Sequence, residues 1–361
     1  RIRHNNISSQ GDRMKKYLIK VQPLTHLHIG SGREFEPINY IIDSYKAKTT
    51  DDKTVIRYAL YEFDEMDFYA NLDESAKDEF LNLASAIDEN GLLRIYKFIN
   101  KHKATAKKSH YHKIAVDKAV YDEYNERIGK IANKEKGNKN VINNLAISKT
   151  YTDPNTHKAL IPGSSIKGAI STAYQEFLYN KYKDYDKVKN LMLAPTDSNI
   201  FKNLLISDST QTATKIFKVQ NLKRNIDKEG LSIRLELLSA TKELEFSLII
   251  KDENKLNISD IAQACNDHYL EIFDSIENDA IYSQLDDKFK DIFNNLTIKD
   301  NEFFLRIGKH SGARAVTIKG KRKIKIIQGK NRSKIADQET TIWLANGKPL
   351  GWVLCSFTEI K

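Results

Sequence analysis

The stretch "LIPGSSIKGAISTAY", Leu160 to Tyr174, constrains the fold more than any other. Ile166, Ala169, Ile170, Ala173, Tyr174, Phe177 and Leu178 recur at three- and four-residue spacing, which gives a helix with one apolar face. Pro162 and Gly163 mark the loop before it, and Ser164 or Ser165 is placed to cap its first turn. "KALI", just upstream, reads as the end of a strand. Strand, glycine-rich turn and helix follow in order. Such a helix start gathers free N–H donors and the positive end of the macrodipole, which suits an anion. Lys167 adds a full charge, and Gly168 reads as a point of close backbone approach. The plainer reading is a capped helix with a glycine at a tight packing point. The GxxxxGK[ST] spacing of a nucleotide-binding P-loop is absent.

Period-two patterns surround this helix. "KKYLIKVQ" sets Tyr17, Ile19 and Val21 against Lys16, Lys20 and Gln22, a strand with one buried face. A second glycine-rich turn, "PLTHLHIGSGREFEP", follows it, and "INYIID" and "TVIRYALYEF" read as further strands. From about 64 to 140 the chain becomes a charged helical insertion rich in Lys and Tyr. After "LLISDST" and a polar stretch from Gln211 to Gly230, "LSIRLELL" should turn Leu231, Ile233, Leu235 and Leu237 inward. "LEFSLII" is its expected partner across the turn "SATKE". A second helical insertion spans about 255–296, and glycine-punctuated short strands close the chain. Strands at both ends and in the middle, with helices between, make an α+β chain with no sharp linker. One domain from 14 to 361 is expected, while 1–13 read as a disordered leader or a vector remnant.

Lys and Arg number 58 and Asp and Glu 48, a formal charge of +10, which favours a polyanionic partner. From Arg306 to Lys334 there are eleven Lys or Arg, four glycines and no acidic residue. Within this run Lys309, Arg314, Lys321, Arg322, Lys323 and Lys325 are candidate RNA contacts, Ile324 and Ile326 alternating with the last lysines. A solvated charged face is the alternative. No run of eighteen apolar residues spans a membrane. Cys265 and Cys355 sit in apolar patterns and read as core thiols of a reducing compartment, hence a cytoplasmic protein. His26 and His28 share a face of an extended segment, and His110 and His112 repeat the spacing. No CxxC, HExxH or carboxylate cluster completes a metal site, and no cofactor fingerprint occurs. Asp208 is a possible Mg²⁺ ligand or, more simply, a turn cap.

Taken together, "LTHLHIGSG", "IPGSSIKGAISTA", "LLISDS", "RIGKHSGARAVTIKG" and "TTIWLANGKPLGWVL" resemble the RAMP superfamily of CRISPR proteins. Their order is most similar to the type of subunit five of type III-A Csm effectors, which caps the crRNA on its 3′ side. The resemblance implies a modified RRM-like, ferredoxin-like core and a β-hairpin thumb, matched here by Gln211 to Gly230. It implies crRNA, neighbouring RAMP backbone subunits and, indirectly, target RNA as partners. Carried over by position, His28, Gly30, Ser31 and Gly32 match the first glycine turn. Gly163, Ser164, Ser165, Lys167 and Gly168 match the loop lining the crRNA path, and Gly308, His310, Ser311 and Gly312 match the last glycine-rich loop. Ser171 stands where many relatives have Arg, so one phosphate contact is missing or supplied elsewhere. No early-loop Asp of the RNA-cutting relatives is matched, which implies a non-cleaving subunit. The competing reading is a RAMP endoribonuclease that processes precursor crRNA with His28 as general acid or base. A small-ligand sensor fits the spread of basic residues poorly.

Overall fold

The computed structural model describes residues 14–360 apart from 86–89, 135–139, 144, 196–197, 225–229 and 328–331. The expected leader, 1–13, lies outside the described residues. The first strand, β1 (Lys15–Pro23), buries Tyr17, Ile19 and Val21 and exposes Lys16, Lys20 and Gln22, as its alternation requires. The chain continues through β2 (Gly30–Phe35), β3 (Tyr40–Lys48) and β4 (Thr54–Phe63) into α1 (Glu65–Ala70), α2 (Glu74–Ser85), α3 (Gly91–Lys101) and α4 (Lys103–Lys108). Next come β5 (His110–Val116), α5 (Lys118–Arg127), β6 (Ile131–Lys134), β7 (Asn140–Ile142) and β8 (Ile147–Thr150). Then follow α6 (Gly163–Tyr182), α7 (Tyr185–Met192), β9 (Leu204–Ile206), β10 (Thr214–Lys223), β11 (Ser232–Leu238) and β12 (Leu244–Ile250). The chain ends with α8 (Ile258–Asp274), α9 (Asp287–Asn295), β13 (Glu302–Arg306), β14 (Ile324–Ile327), β15 (Ser333–Ala336), β16 (Thr341–Ala345), β17 (Lys348–Pro349) and β18 (Trp352–Ile360).

One sheet is antiparallel throughout, in the order β13-β18-β1-β12-β9. The N-terminal strand thus lies between one from the C-terminus and one from the middle. The inward faces of α6 (Ile166, Ile170, Ala173, Tyr174) and α8 (Ile261, Cys265, Tyr269, Ile272) share its core. Cys265 and Cys355 are buried free thiols there, and burial pushes both up. The larger sheet runs β2-β8-β11-β10-β5-β4-β3, with β16 paired to the far half of β10. Both its faces are covered at one end. Tyr40, Ile42 and Leu60 pack towards Val120 and Tyr124 of α5, whereas Ile41, Ala59 and Tyr61 pack towards Phe68 and Phe98 of the helical layer.

Several sequence expectations change here. The 64–140 insertion is not purely helical: β5 joins β4 and β10 and ties the helices to the large sheet. β11 and β12 are not partners, because β1 and β9 occupy both edges of β12. Residues 239–243 instead carry the chain from one sheet to the other. Leu235 and Leu237 are buried, but Leu231 precedes the strand and is 78% exposed. "KALI" makes only bridges, through Ala159 to Thr152 and Thr212. Gln211–Gly230 holds the strand β10, and residues 225–229 lie outside the described residues.

The start of α6 is also built differently. Pro162 takes the N-cap position with no side-chain cap, so Ser164 and Ser165 fall inside the first turn. The cap comes from across the chain: the Gly163 N–H donates to Asp208 Oδ1 at 2.8 Å. Gly163, not Gly168, is the point of close approach. A Cβ at 163 would lie 2.3 Å from Ile206 O, whereas one at 168 meets nothing within 4 Å. Gly163→Ala is therefore expected to cost about 3 kcal/mol by crowding β9. Gly168→Ala should stabilise by about 1 kcal/mol through helix propensity. Thermal melts of the two variants check this, and a Gly168→Ala protein that melts well below the parent contradicts it.

Candidate nucleic-acid interface

Backbone hydrogen bonds pull the first and last glycine turns together. Lys309 N donates to His28 O at 2.8 Å, Gly351 N to His26 O at 2.9 Å, and Ile307 N to Gly351 O at 2.8 Å. Leu24 N and Thr25 N both donate to Trp352 O, and Trp352 N donates to Thr25 Oγ1. Gly308 and Gly351 have φ of +97° and +96°. Added Cβ atoms there would sit 2.6 Å from His28 O and 2.5 Å from Ile307 O, so only glycine lets these backbones meet.

The third turn faces the same place. A cleft of about 350 Å³ is lined by Ser164, Ser165 and Gly168 on one side and Gly308 and Ser311 on the other, with Arg306 below. Thr172 and Val316 continue it into a hollow with Lys321, Arg322 and Lys323. On the other side Lys309 opens a hollow of about 310 Å³ with His28, Gly30, Gly32 and Arg33, where Lys149 and the carboxylates Glu34 and Glu36 also stand. All three predicted turns thus line one furrow. Among the described residues Lys309, Lys323 and Lys325 have no carboxylate partner, and all three are exposed. The hairpin β14–β15 carries Lys323 and Lys325 at its base and first arm. Lys330, from the same basic run, lies outside the described residues.

Other predicted contacts are held inward. Arg314 Nε donates to Glu339 Oε1 at 3.1 Å and its N–H to Oε2. Arg322 is buried 3.6 Å from Glu176, which also meets His268 and the Lys319 amide. Burial raises the Glu176 carboxyl, but His268, Lys319 and Arg322 together hold it below the usual range. Lys167 does not face an anion: its Nζ donates to Leu204 O at 2.6 Å, and burial pulls it down. With Asp208 already on Gly163 N–H, the helix start carries its own carboxylate, which weakens it as a phosphate seat. Ser171 accepts from Gln175 Nε2, four residues on.

Sequence reasoning missed Arg224 and did not show that Arg306 and Arg314, both in the basic run, are buried. Arg224 is 1% exposed and lies 2.5 Å from Asp279 and 2.9 Å from Glu339. Arg306 donates to Leu350 O and lies over the Trp352 ring. Burial pulls its guanidinium down to about 9, with Glu339 opposing. Arg224, Arg306 and Arg314 are thus three cations against the two carboxylates Asp279 and Glu339. Of the three, Arg306 lines the cleft with Ser164, Ser165 and Gly308. Glu339, soon after the basic run, was the one legible sign; Arg224 follows β10 directly, with no pattern to mark it.

Burial holds His26, His28 and His310 below the usual imidazole range, and their contacts are structural. His28 is 1% exposed and its Nδ1 donates to Glu236 O at 2.9 Å, which fixes the tautomer and leaves Nε2 as the bare nitrogen. His26 Nδ1 lies 3.3 Å from Leu238 O on the same side, as their shared face requires. His28 stacks on His310 at 6.0 Å, and His310 packs at a tilt against Trp343 at 4.5 Å. A buried ring already held by a carbonyl is poorly placed for general acid–base work. Among the described residues no group of three or more His, Cys, Asp or Glu could hold a metal ion. No described helix is long and apolar enough to cross a membrane.

With this geometry in view, the sequence profile of the RAMP superfamily matches residues 20–315. A Methanocaldococcus jannaschii protein described as CRISPR system Cms protein Csm5 is 25% identical over 256 residues, 66% of this chain. The chain spans 53%, about half, of that relative's length. A chain of a cryo-EM structure of a Csm–crRNA–target RNA ternary complex in a type III-A CRISPR-Cas system has a similar fold. It matches with a TM-score of 0.62 at 15% identity, over 95% of this chain and 100% of the other. A crystal structure of T. onnurineus Csm5 matches with a TM-score of 0.51 at 14% identity, over 92% and 99%.

The histidine pair makes stability depend on pH. Burial lowers His310 to about 4, with His28 and Lys309 adding to the effect, and burial lowers His28 as well. In the unfolded chain both titrate near 6.5, so below that pH the unfolded state takes up more protons. Stability is full above about pH 6.5 and is lost as pH falls from there towards 4. The melting temperature should drop between pH 7.5 and 5, and His310→Asn, which tolerates the φ of +70°, should flatten that drop. A parent and a variant with equal slopes contradict this assignment.

Proposed function

The chain belongs to the RAMP superfamily, and from that premise we propose that it is a non-catalytic, crRNA-holding subunit of a type III-A CRISPR Csm effector, of the Csm5 type. It would cap the crRNA on its 3′ side in the cytoplasm, beside neighbouring RAMP backbone subunits and with target RNA reached through the guide. Supporting crRNA maturation and antiviral defence follows from that place. The observation that carries the reading is the convergence of three glycine turns on one furrow with unpaired lysines at its rim. Close backbone approach and exposed cations suit a sugar–phosphate chain, which any sequence presents alike.

An RRM-like core fits the element order. β1, α6, β9, β12, α8 and β18 follow one another along the chain, and their strands stand as β18-β1-β12-β9. That is the arrangement of two interleaved βαβ units, with β13 added at the outer edge. The antiparallel pair β10–β11 supports the thumb reading, and residues 225–229 lie outside the described residues. The fully buried, carbonyl-bound His28 counts against the endoribonuclease alternative.

Lys309, Lys323 and Lys325 should each neutralise one phosphate. Each contributes about −0.7 to the slope of log K against log salt on a single strand. Their combined change to Ala should weaken binding of a repeat-derived RNA and make the slope shallower by about 2. The measurement is fluorescence anisotropy across a salt series. Equal affinity and slope in parent and variant would return these lysines to the role of a solvated face.

A further inference from the structure

The furrow does not end at the first glycine turn. Arg33 and Lys149 line both the hollow beside His28 and a second, larger one of about 440 Å³. This pocket is walled by Ser31, Tyr111, Tyr151, Thr152 and His157, with Glu62 at its floor. Its aromatic rings are presented rather than packed away: Tyr111 is 55% and Tyr151 42% exposed. Tyr111 lies 6.0 Å from the His157 ring, which stacks on His112 at 4.6 Å, and His112 meets Glu62 at 3.2 Å. His157 is held there by a φ of +54°, a conformation a histidine rarely adopts. Burial raises the Glu62 carboxyl, but His112, Lys149 and Tyr111 together hold it below the usual carboxylate range.

We propose that this pocket takes one unpaired base of a single-stranded RNA, its ring laid against Tyr111 or Tyr151 and its phosphate outside beside Arg33. The proposal rests on the RNA-holding reading above and extends it to a defined subsite. The orientation follows from charge. Inside the pocket Lys149 is already paired to Glu62, which His112 also meets, so that lysine is not free for a phosphate, and flat exposed rings accept any base face. Arg33 is exposed and, among the described residues, has no carboxylate partner, so it is free for the backbone at the rim. The volume lies within the range of sites that enclose small ligands. A strand following the furrow past Gly308, Lys309 and Gly30 reaches this pocket next, through the shared Arg33.

The probe is an oligouridine carrying a single 2-aminopurine, moved along the strand one position at a time. Binding to the parent should quench 2-aminopurine fluorescence at one position. Tyr111→Ala combined with Tyr151→Ala should abolish the quench and lower affinity about 5- to 150-fold, the range of one lost stacking contact. The matching double Phe variant keeps both rings and should retain quench and affinity, which separates stacking from a folding defect. A parent that binds RNA with no position quenched, or a double Ala variant that quenches as the parent does, overturns the pocket and leaves the RNA-holding reading intact. A parent that binds no RNA at low salt overturns both.

Discussion

Everything at the candidate site depends on backbone meeting backbone. His28 O accepts from Lys309 N, His26 O accepts from Gly351 N, and Gly351 O accepts from Ile307 N. The first two bonds join segments from opposite ends of the chain and the third ties the two C-terminal segments together, and side chains at Gly308 or Gly351 would collide with His28 O or Ile307 O. The antiparallel pairing of β1 with β18 brings the ends side by side, and the glycines let the loops beyond those strands close on each other. Local chain freedom is thereby converted into one fixed furrow. The cost is entropic, since glycine loses more freedom on folding than any other residue. The long β1–β18 ladder and the core beneath it offset that cost.

Charge is arranged in two layers around this join. Outside, Lys309, Lys323 and Lys325 remain in water, where a phosphate can meet them cheaply. Inside, Arg224, Arg306 and Arg314 are stripped of water and held by Asp279, Glu339 and the Leu350 carbonyl. Buried charges of this kind are a poor source of net stability, because desolvation offsets most of their attraction. Their value is geometric. They brace the Gly308–Gly312 loop and set Arg306 at a cleft that serines and glycines help to line.

The sequence made the elements legible where a face repeats. The alternation in Lys15–Pro23 and the helical spacing from Ile166 to Leu178 each correspond to a buried face. The glycine turns were also legible one by one, but no local pattern records that they meet. Partnership between elements was less visible. "LSIRLELL" and "LEFSLII" read as a hairpin because they are close in sequence, yet sheet pairing was decided by which edges β1 and β9 had filled. Capping misled for a similar reason. Ser164 and Ser165 are good local caps, but Asp208 arrives from 45 residues away and no local pattern records it. The exposed run from Arg306 to Lys334 hid a split between solvent lysines and buried arginines, because composition gives charge and not depth.

The central claim is that three separated glycine turns form one RNA-holding furrow. Ultraviolet cross-linking of the full chain to a repeat-derived RNA, followed by mass spectrometry of the cross-linked peptides, tests it most directly. Adducts should appear together in three peptides, around His28–Arg33, Gly163–Gly168 and Gly308–Lys325. Adducts confined to the helical layer of α1–α4, with none in these three peptides, would contradict it.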